Sequence, residues 1–263
     1  MGQLTPLFSG SSGNCSYIGS GDHGFLVDAG ASCKSIRNAL ESIGTSLDKI
    51  EAIFITHEHS DHVKGLKVLL KAHAVPVYAS EGTLRKLTEQ ESIPPHVQLI
   101  PIDGKKSFEV KGMGVKAFHL PHDAAEPMGF VFQMGEIRLG YATDLGAVTD
   151  GVRGALMGCQ RMLLESNYDE AMLKRSAYPV SLKRRIAGQS GHLSNTDCAN
   201  FVMELIQNGA THFMLGHLSQ ENNLPDIAFQ TTQKFLLDAQ MVQNKDYILR
   251  VASRHQPSKG MYF

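Results

Sequence analysis

The chain has 263 residues, 42% apolar and 19% charged, with a formal net charge of −1. That length suits one large α/β domain with a proper core, and no apolar run approaches the ~18–20 residues a membrane span needs. Near-neutral charge excludes a globally basic nucleic-acid binder, so any such contact must come from a local patch. The N-terminus has no basic stretch followed by an apolar one, so no export signal is expected. Cys15, Cys33, Cys159 and Cys198 are scattered without a CxxC, and read as reduced thiols of a cytoplasmic protein.

In chain order, LTPLF (4–8), NCSYIGS (14–20) and HGFLVDAG (23–30) read as three strands separated by Ser/Gly-rich breaks. A helix follows, with Ser32 as its N-cap and Gly44 just past its end. EAIFITH is a short buried strand. Then come a helix over about 60–73, the strand PVYAS, a helix near 81–90, and strands at HVQLIPI, SFEVKGM and VKAFHLP. GFVFQMGEIRLGYATD is a hairpin turning near Met134–Glu136, and CQRMLLES is a further strand. Residues 169–208 read as mostly helical, closing with a helix that starts at Ser194 or Asn195 and stops before Gly209. THFMLGH is a strand ending in histidine; a helix over about 225–240 and the strand DYILRVAS finish the chain. Strands and alternating helices in both halves fit two sheets faced by helices. With no linker or low-complexity tract, one domain over 1–263 is expected.

Histidine is the unusual residue, with twelve in the chain. The strongest signal is T-H-E-H-S-D-H, which places His57, His59, Asp61 and His62 at the end of an apolar strand. Imidazole suits Zn, Mn or Fe, and a carboxylate adds a hard charged oxygen. Four ligand-type residues in six positions exceed what one tetrahedral ion conveniently takes. The spacing suggests two ions, with His57 and His59 on one and Asp61 and His62 on the other.

This pattern resembles the signature of the metallo-β-lactamase superfamily, whose fold is an αββα four-layer sandwich with metals at the sheet edges. The resemblance runs on in order through almost the whole chain. It implies that Asp28 in FLVDAG supports the ligand loop by hydrogen bonding, that His122 in HLPHDAAEPMGF binds the first ion, that Asp144 in YATDLG bridges both, and that His217 in MLGHLS completes the second. Ions about 3.5–4 Å apart repel, and a bridging carboxylate with a bridging hydroxide would offset that charge.

F-S-G-S-S-G-N-C near the start, G-H-L-S-N at 191–195 and G-H-L-S-Q-E-N-N at 216–223 are similar to the YycJ/WalJ-like branch, whose members are described as DNA exonucleases working 5′ to 3′. Asp144 and His192 are too close in sequence for the large insertion of the β-CASP nucleases. The implied function is a phosphodiesterase in which a metal-bridging hydroxide attacks phosphorus. His192 would protonate the leaving oxygen, with Asp61 as its possible helper; alternatively His192 merely caps the following helix. Ser11, Ser12 and Asn14 lie in a loop that would either hold phosphate or simply join two strands. The basic run Lys174–Arg175 to Lys183–Arg184–Arg185 is either a DNA-backbone contact or a solvated helix face. His119 and Asp123 flank His122 without being assigned to metal, and His23, His73, His96, His212 and His255 fall outside the motifs. A small-molecule phosphodiesterase acting on cyclic phosphates is the next reading, ahead of a lactone or thioester hydrolase and of a non-enzymatic metal-binding role.

Overall fold

The computed structural model describes residues 2–20 and 22–263, which fall into two compact units. The first comprises the chain up to Ala117, with Ala124–Met128 and Ser253–Phe263; the second comprises Phe118–Asp123 and Gly129–Ala252.

In the first unit, β1 (Gly2–Phe8), β2 (Cys15–Ser20) and β3 (His23–Val27) form an antiparallel meander. The sheet then turns parallel through β4 (Ile50–Phe54), β5 (Val77–Ala79) and β6 (Leu99–Pro101). Parallel neighbours need crossovers, and helices supply them: α1 (Cys33–Ser42) before β4, α2 (Ser60–Val63) and α3 (Leu66–Ala72) before β5, and α4 (Glu81–Glu89) before β6. Ser32 caps α1 by accepting the Ser35 N–H, and Gly44 follows with φ 80°. Ile36 and Leu40 of α1 pack with Leu66, Leu69 and Leu70 of α3 in one apolar core. β7 (Ser107–Val110) and β8 (Met113–His119) form a hairpin. Its turn, Lys111–Gly112, has φ 49° and 80°, as a tight two-residue turn between twisted strands requires.

In the second unit, β9 (Met128–Met134) and β10 (Ile137–Ala142) are an antiparallel hairpin around Gly135. β11 (Arg161–Glu165), β12 (His212–Gly216) and β13 (Ile248–Val251) extend it in parallel. The connecting helices are α5 (Asp150–Leu156), α6 (Glu170–Arg175), α7 (Val180–Ile186), α8 (Asn195–Gln207) and α9 (Pro225–Asp238). Met162, Leu164, Phe201, Leu205, Phe213 and Leu215 anchor its core. A short strand that the sequence pattern did not suggest, β14 (Met261–Tyr262), pairs with β1.

One expected helix is broken, and the mostly helical stretch over 169–208 is divided. The helix over 60–73 is α2 plus α3: Gly65 donates its N–H to Ala29 O at 2.9 Å instead of to the preceding turn, and a Cβ there would lie 1.8 Å from Ala31 O. The helical stretch 169–208 is three helices, interrupted before Pro179, which disfavours helix at the residue it follows, and again at the glycines of 188–191.

Candidate metal centre

In the first unit, β3 and β4 are parallel, so their C-terminal ends share one sheet edge. Asp28 follows one and the histidine loop follows the other. Asp28 is fully buried. Its Oδ1 accepts the Thr56 N–H at 2.9 Å, and its Oδ2 accepts the Thr56 hydroxyl at 2.9 Å and His62 Nδ1 at 2.8 Å. Burial pushes the Asp28 carboxyl up, against the pull of His62 and Thr56. Thr56 Oγ1 in turn lies 3.0 Å from His57 Nδ1. The His57 and His62 rings sit 4.1 Å apart and those of His57 and His59 4.6 Å. Asp61 Oδ2 is 3.6 Å from His62 Nε2.

Asn14 belongs to this cluster. It is buried, its Oδ1 accepts the Gly10 N–H at 2.9 Å, and its amide nitrogen lies 3.0 Å from His62 Nε2 and 3.3 Å from Asp61 Oδ2. Ser11 and Ser12 are exposed at the tip of the same loop, where Lys64 donates to the Ser12 carbonyl.

In the second unit, Asp144, Glu165 and His217 stand at the C-terminal ends of the neighbouring parallel strands β10, β11 and β12. Asp144 Oδ1 lies 3.6 Å from His122 Nε2, 3.5 Å from His217 Nδ1 and 3.7 Å from His192 Nδ1. The sequence reading missed Glu165. Its Oε1 accepts His217 Nδ1 at 2.6 Å and His192 Nδ1 at 2.9 Å, and its Oε2 accepts the N–H groups of Leu145 at 2.7 Å and Leu193 at 3.0 Å. The signal was there: Glu165 closes a buried apolar strand just as Asp28 and Asp144 close theirs. Burial raises its pKa, but His192 and His217 outweigh that and hold it down at about 2. For His192, burial disfavours the charged ring, yet the charge and hydrogen bond of Glu165 prevail and the pKa is raised. His122 donates Nδ1 to Gly191 O at 2.9 Å; burial outweighs Asp144 and lowers its pKa.

Asn195 and Asn223 of the two H-L-S motifs, with Asn167 just after β11, form a buried brace behind His217. Asn167 Nδ2 donates to His217 O at 2.8 Å, Asn223 Nδ2 donates to Ser166 O at 2.8 Å, and Asn195 Nδ2 donates to Asn223 Oδ1 at 3.0 Å. His119 is exposed. Asp123 pairs with Arg185 at 2.5 Å and lies 3.4 Å from His122 Nε2. Of the histidines outside the motifs, His23 bonds Glu51 and His73 bonds Ile50 O.

The donors fit a divalent ion. They are imidazole nitrogens and carboxylate oxygens without a thiolate, the set Zn, Mn and Fe accept. The polar atoms of Asp144, Glu165, His192 and His217 fall within 4.8 Å of one another. Glu165 is saturated by four donors, however, and acts on its histidines rather than on an ion. His57, His62, His122, His192 and His217 all have Nδ1 against an oxygen, which puts the proton of the neutral ring on Nδ1 and leaves Nε2 as its lone-pair position.

A family model described as the beta-lactamase superfamily domain matches residues 23–218. The chain is 35% identical over 262 residues to exodeoxyribonuclease YycJ of Bacillus anthracis, covering 97% of each. It is 34% identical over 247 residues to exodeoxyribonuclease WalJ of Streptococcus pneumoniae, covering 92% of this chain and 90% of that one. In fold it is similar to the metallo-β-lactamase fold protein YhfI of Bacillus subtilis, with a TM-score of 0.73, 15% identity and 98% of both chains covered.

Proposed function

Because the chain belongs to the metallo-β-lactamase superfamily, in its YycJ/WalJ-like branch, and is a metal-dependent hydrolase, we propose that it is a DNA exonuclease working 5′ to 3′ with two divalent ions. The observation that carries this reading is the 35% identity to an exodeoxyribonuclease across 97% of both chains. The donor chemistry supports it. His57, His59 and His122 would hold the first ion, Asp61, His62 and His217 the second, and Asp144 both, with Zn, Mn or Fe equally suited. Asp28 would orient His62 from behind. Bound there, such ions would lower the pKa of a water from 15.7 toward ~7 and offset charge on phosphoryl oxygens.

The protein's own share is positioning and proton transfer. Glu165 accepts from His192 Nδ1 and favours the charged ring, and the Nε2 proton of that imidazolium is the one that would pass to the leaving oxygen. A positioned acid of this kind contributes about 10²–10⁴ in rate. Asp61 would assist His192 in that step. The hydroxyls of Ser11 and Ser12, with the Asn14 loop, would contact substrate phosphate. The whole of 1–263 would act as one catalytic domain, since the chain passes between its two units four times. The four buried free cysteines accord with a reducing, cytoplasmic setting, and no described helix is long and apolar enough to cross a membrane.

The test is a substrate panel with Mn or Zn added: 5′-phosphorylated duplex and single-stranded DNA, RNA, a cyclic nucleotide and a thioester. DNA shortened from its 5′ end is the expected result. Rapid turnover of the cyclic nucleotide with DNA untouched would transfer the site to small phosphodiesters. His192→Ala should slow DNA cleavage about 10²–10⁴-fold while sparing a nitrophenyl diester, whose leaving group needs no proton; equal losses on both would remove the acid role.

A further inference from the structure

Resting on the DNA reading, we infer that the α6–α7 arm is the track that holds the DNA phosphate backbone, with Lys174, Arg175 and Arg184 as its phosphate contacts. Residues 171–192 contain five Lys and Arg and no Asp or Glu, in a chain whose net charge is −1. α7 buries none of its residues, and Val180 at its start is 64% exposed. A short helix that buries no apolar face gains little from packing, so polar ties must hold it.

Those ties divide the basic residues into two sets. Lys183 turns inward, donating Nζ to the carbonyls of Lys174 at 2.8 Å and Ser176 at 2.7 Å and so joining α7 to the end of α6. Arg185 pairs with Asp123, next in sequence to His122. The His192 N–H donates to Ile186 O at 2.8 Å, and a Cβ on Gly191 would lie 2.1 Å from Arg185 O. The arm is thereby fixed to the segment that carries His192. Lys174, Arg175 and Arg184 remain exposed and make no ion pair among the described residues; only Arg175 Nε bonds locally, to Ala171 O. Three unneutralised cations on an arm tied to the proposed acid suit a ligand with regularly spaced negative charge. As exposed cations that would meet phosphate rather than base edges, they would grip any sequence, as an exonuclease requires.

The experiment compares wild type with the Lys174→Ala, Arg175→Ala, Arg184→Ala triple variant. Binding of a labelled, 5′-phosphorylated single-stranded DNA is followed by anisotropy in EDTA over a salt series, alongside turnover of bis(p-nitrophenyl) phosphate with metal added. The variant should lose about 2 in the slope of log K against log salt, at ~0.7 per phosphate contact, with diester turnover unchanged. An unchanged slope overturns the inference, and so does no wild-type binding at low salt. A parallel loss of diester turnover also overturns it, unless the charge-keeping Lys174→Arg, Arg184→Lys variant restores both readouts, which supports it. Wild-type protein that binds DNA with the expected slope but never cleaves it would leave the arm standing and remove the exonuclease reading.

Discussion

Asp28, Asp144 and His217 have φ of 64°, 59° and 54°, in the left-handed region that costs a non-glycine residue of order 1–3 kcal/mol. All three are buried within two residues of a strand's end, where the chain turns. Hydrogen bonds hold Asp28 and His217 in place there. Asp28→Asn tolerates the same φ but weakens the acceptor for His62 Nδ1, so metal affinity should fall about 10–100-fold. Competition against a chelator measures this, and unchanged affinity would show that Asp28 does not orient His62. Glu165 gives a pH signature in metal-stripped protein. Its carboxylate is held at about 2 against an ordinary 4.5. A depressed pKa contributes stability that is complete above the unfolded value and lost as pH falls toward the folded one. Urea unfolding between pH 5 and 3 should therefore show stability dropping with acid, and Glu165→Gln should flatten that drop; parallel curves would sink the argument.

At the scale of elements, the histidine loop is placed by backbone contacts at the sheet edge. Asn14 N–H donates to Asp61 O at 2.7 Å, Ala29 N–H to His62 O at 2.8 Å and Gly30 N–H to Asn14 O at 2.7 Å. Gly30 is the residue that permits this approach, because a Cβ on it would lie 1.7 Å from Asp61 O. Gly30→Ala must displace the loop and should cost about 1–3 kcal/mol or more, with loss of bound metal; a thermal melt and a metal assay read both, and a variant that keeps its melting temperature and its metal would refute the role. The asparagine brace behind His217 works similarly in the other unit. Asn223 serves the carbonyls of Ser166 and Asn167 at 2.8 and 3.0 Å. Asn223→Ala takes this donor from the Ser166 carbonyl, while Asn167 O keeps the Ser219 N–H, at a cost of about 1–3 kcal/mol read by a thermal melt.

For the whole molecule, clustered acids and imidazoles link metal to folding. Ions that bind only the folded chain stabilise it by about 2.7 kcal/mol each at 100 times their Kd. The melting temperature should therefore rise with Zn or Mn concentration and fall in EDTA, measured by calorimetry. A melting temperature indifferent to metal would contradict a folded-state site. Charge belongs to this scale too: with a net −1, any attraction for DNA would come from a local patch and not from the whole surface.

Much of the candidate site could be read from the chain because its residues follow short apolar strands. A hydrophobic run ending in His or Asp is a local pattern, and His57, His59, Asp61 and His62 fall within six consecutive positions. The strands, most helix limits and the family resemblance rest on the same kind of local order. Long-range partners carry no such mark. Glu165 meets His192 and His217 across 27 and 52 residues, Asn14 reaches Asp61 across 47, and Gly65 breaks a helix because of a carbonyl at Ala29. Nor does composition separate Lys183 and Arg185, spent on internal bonds, from Arg184, which faces solvent. Spacing along the chain encodes which residues share a turn or strand end; only packing decides which distant groups become neighbours, and so which charges are neutralised and which protons are held.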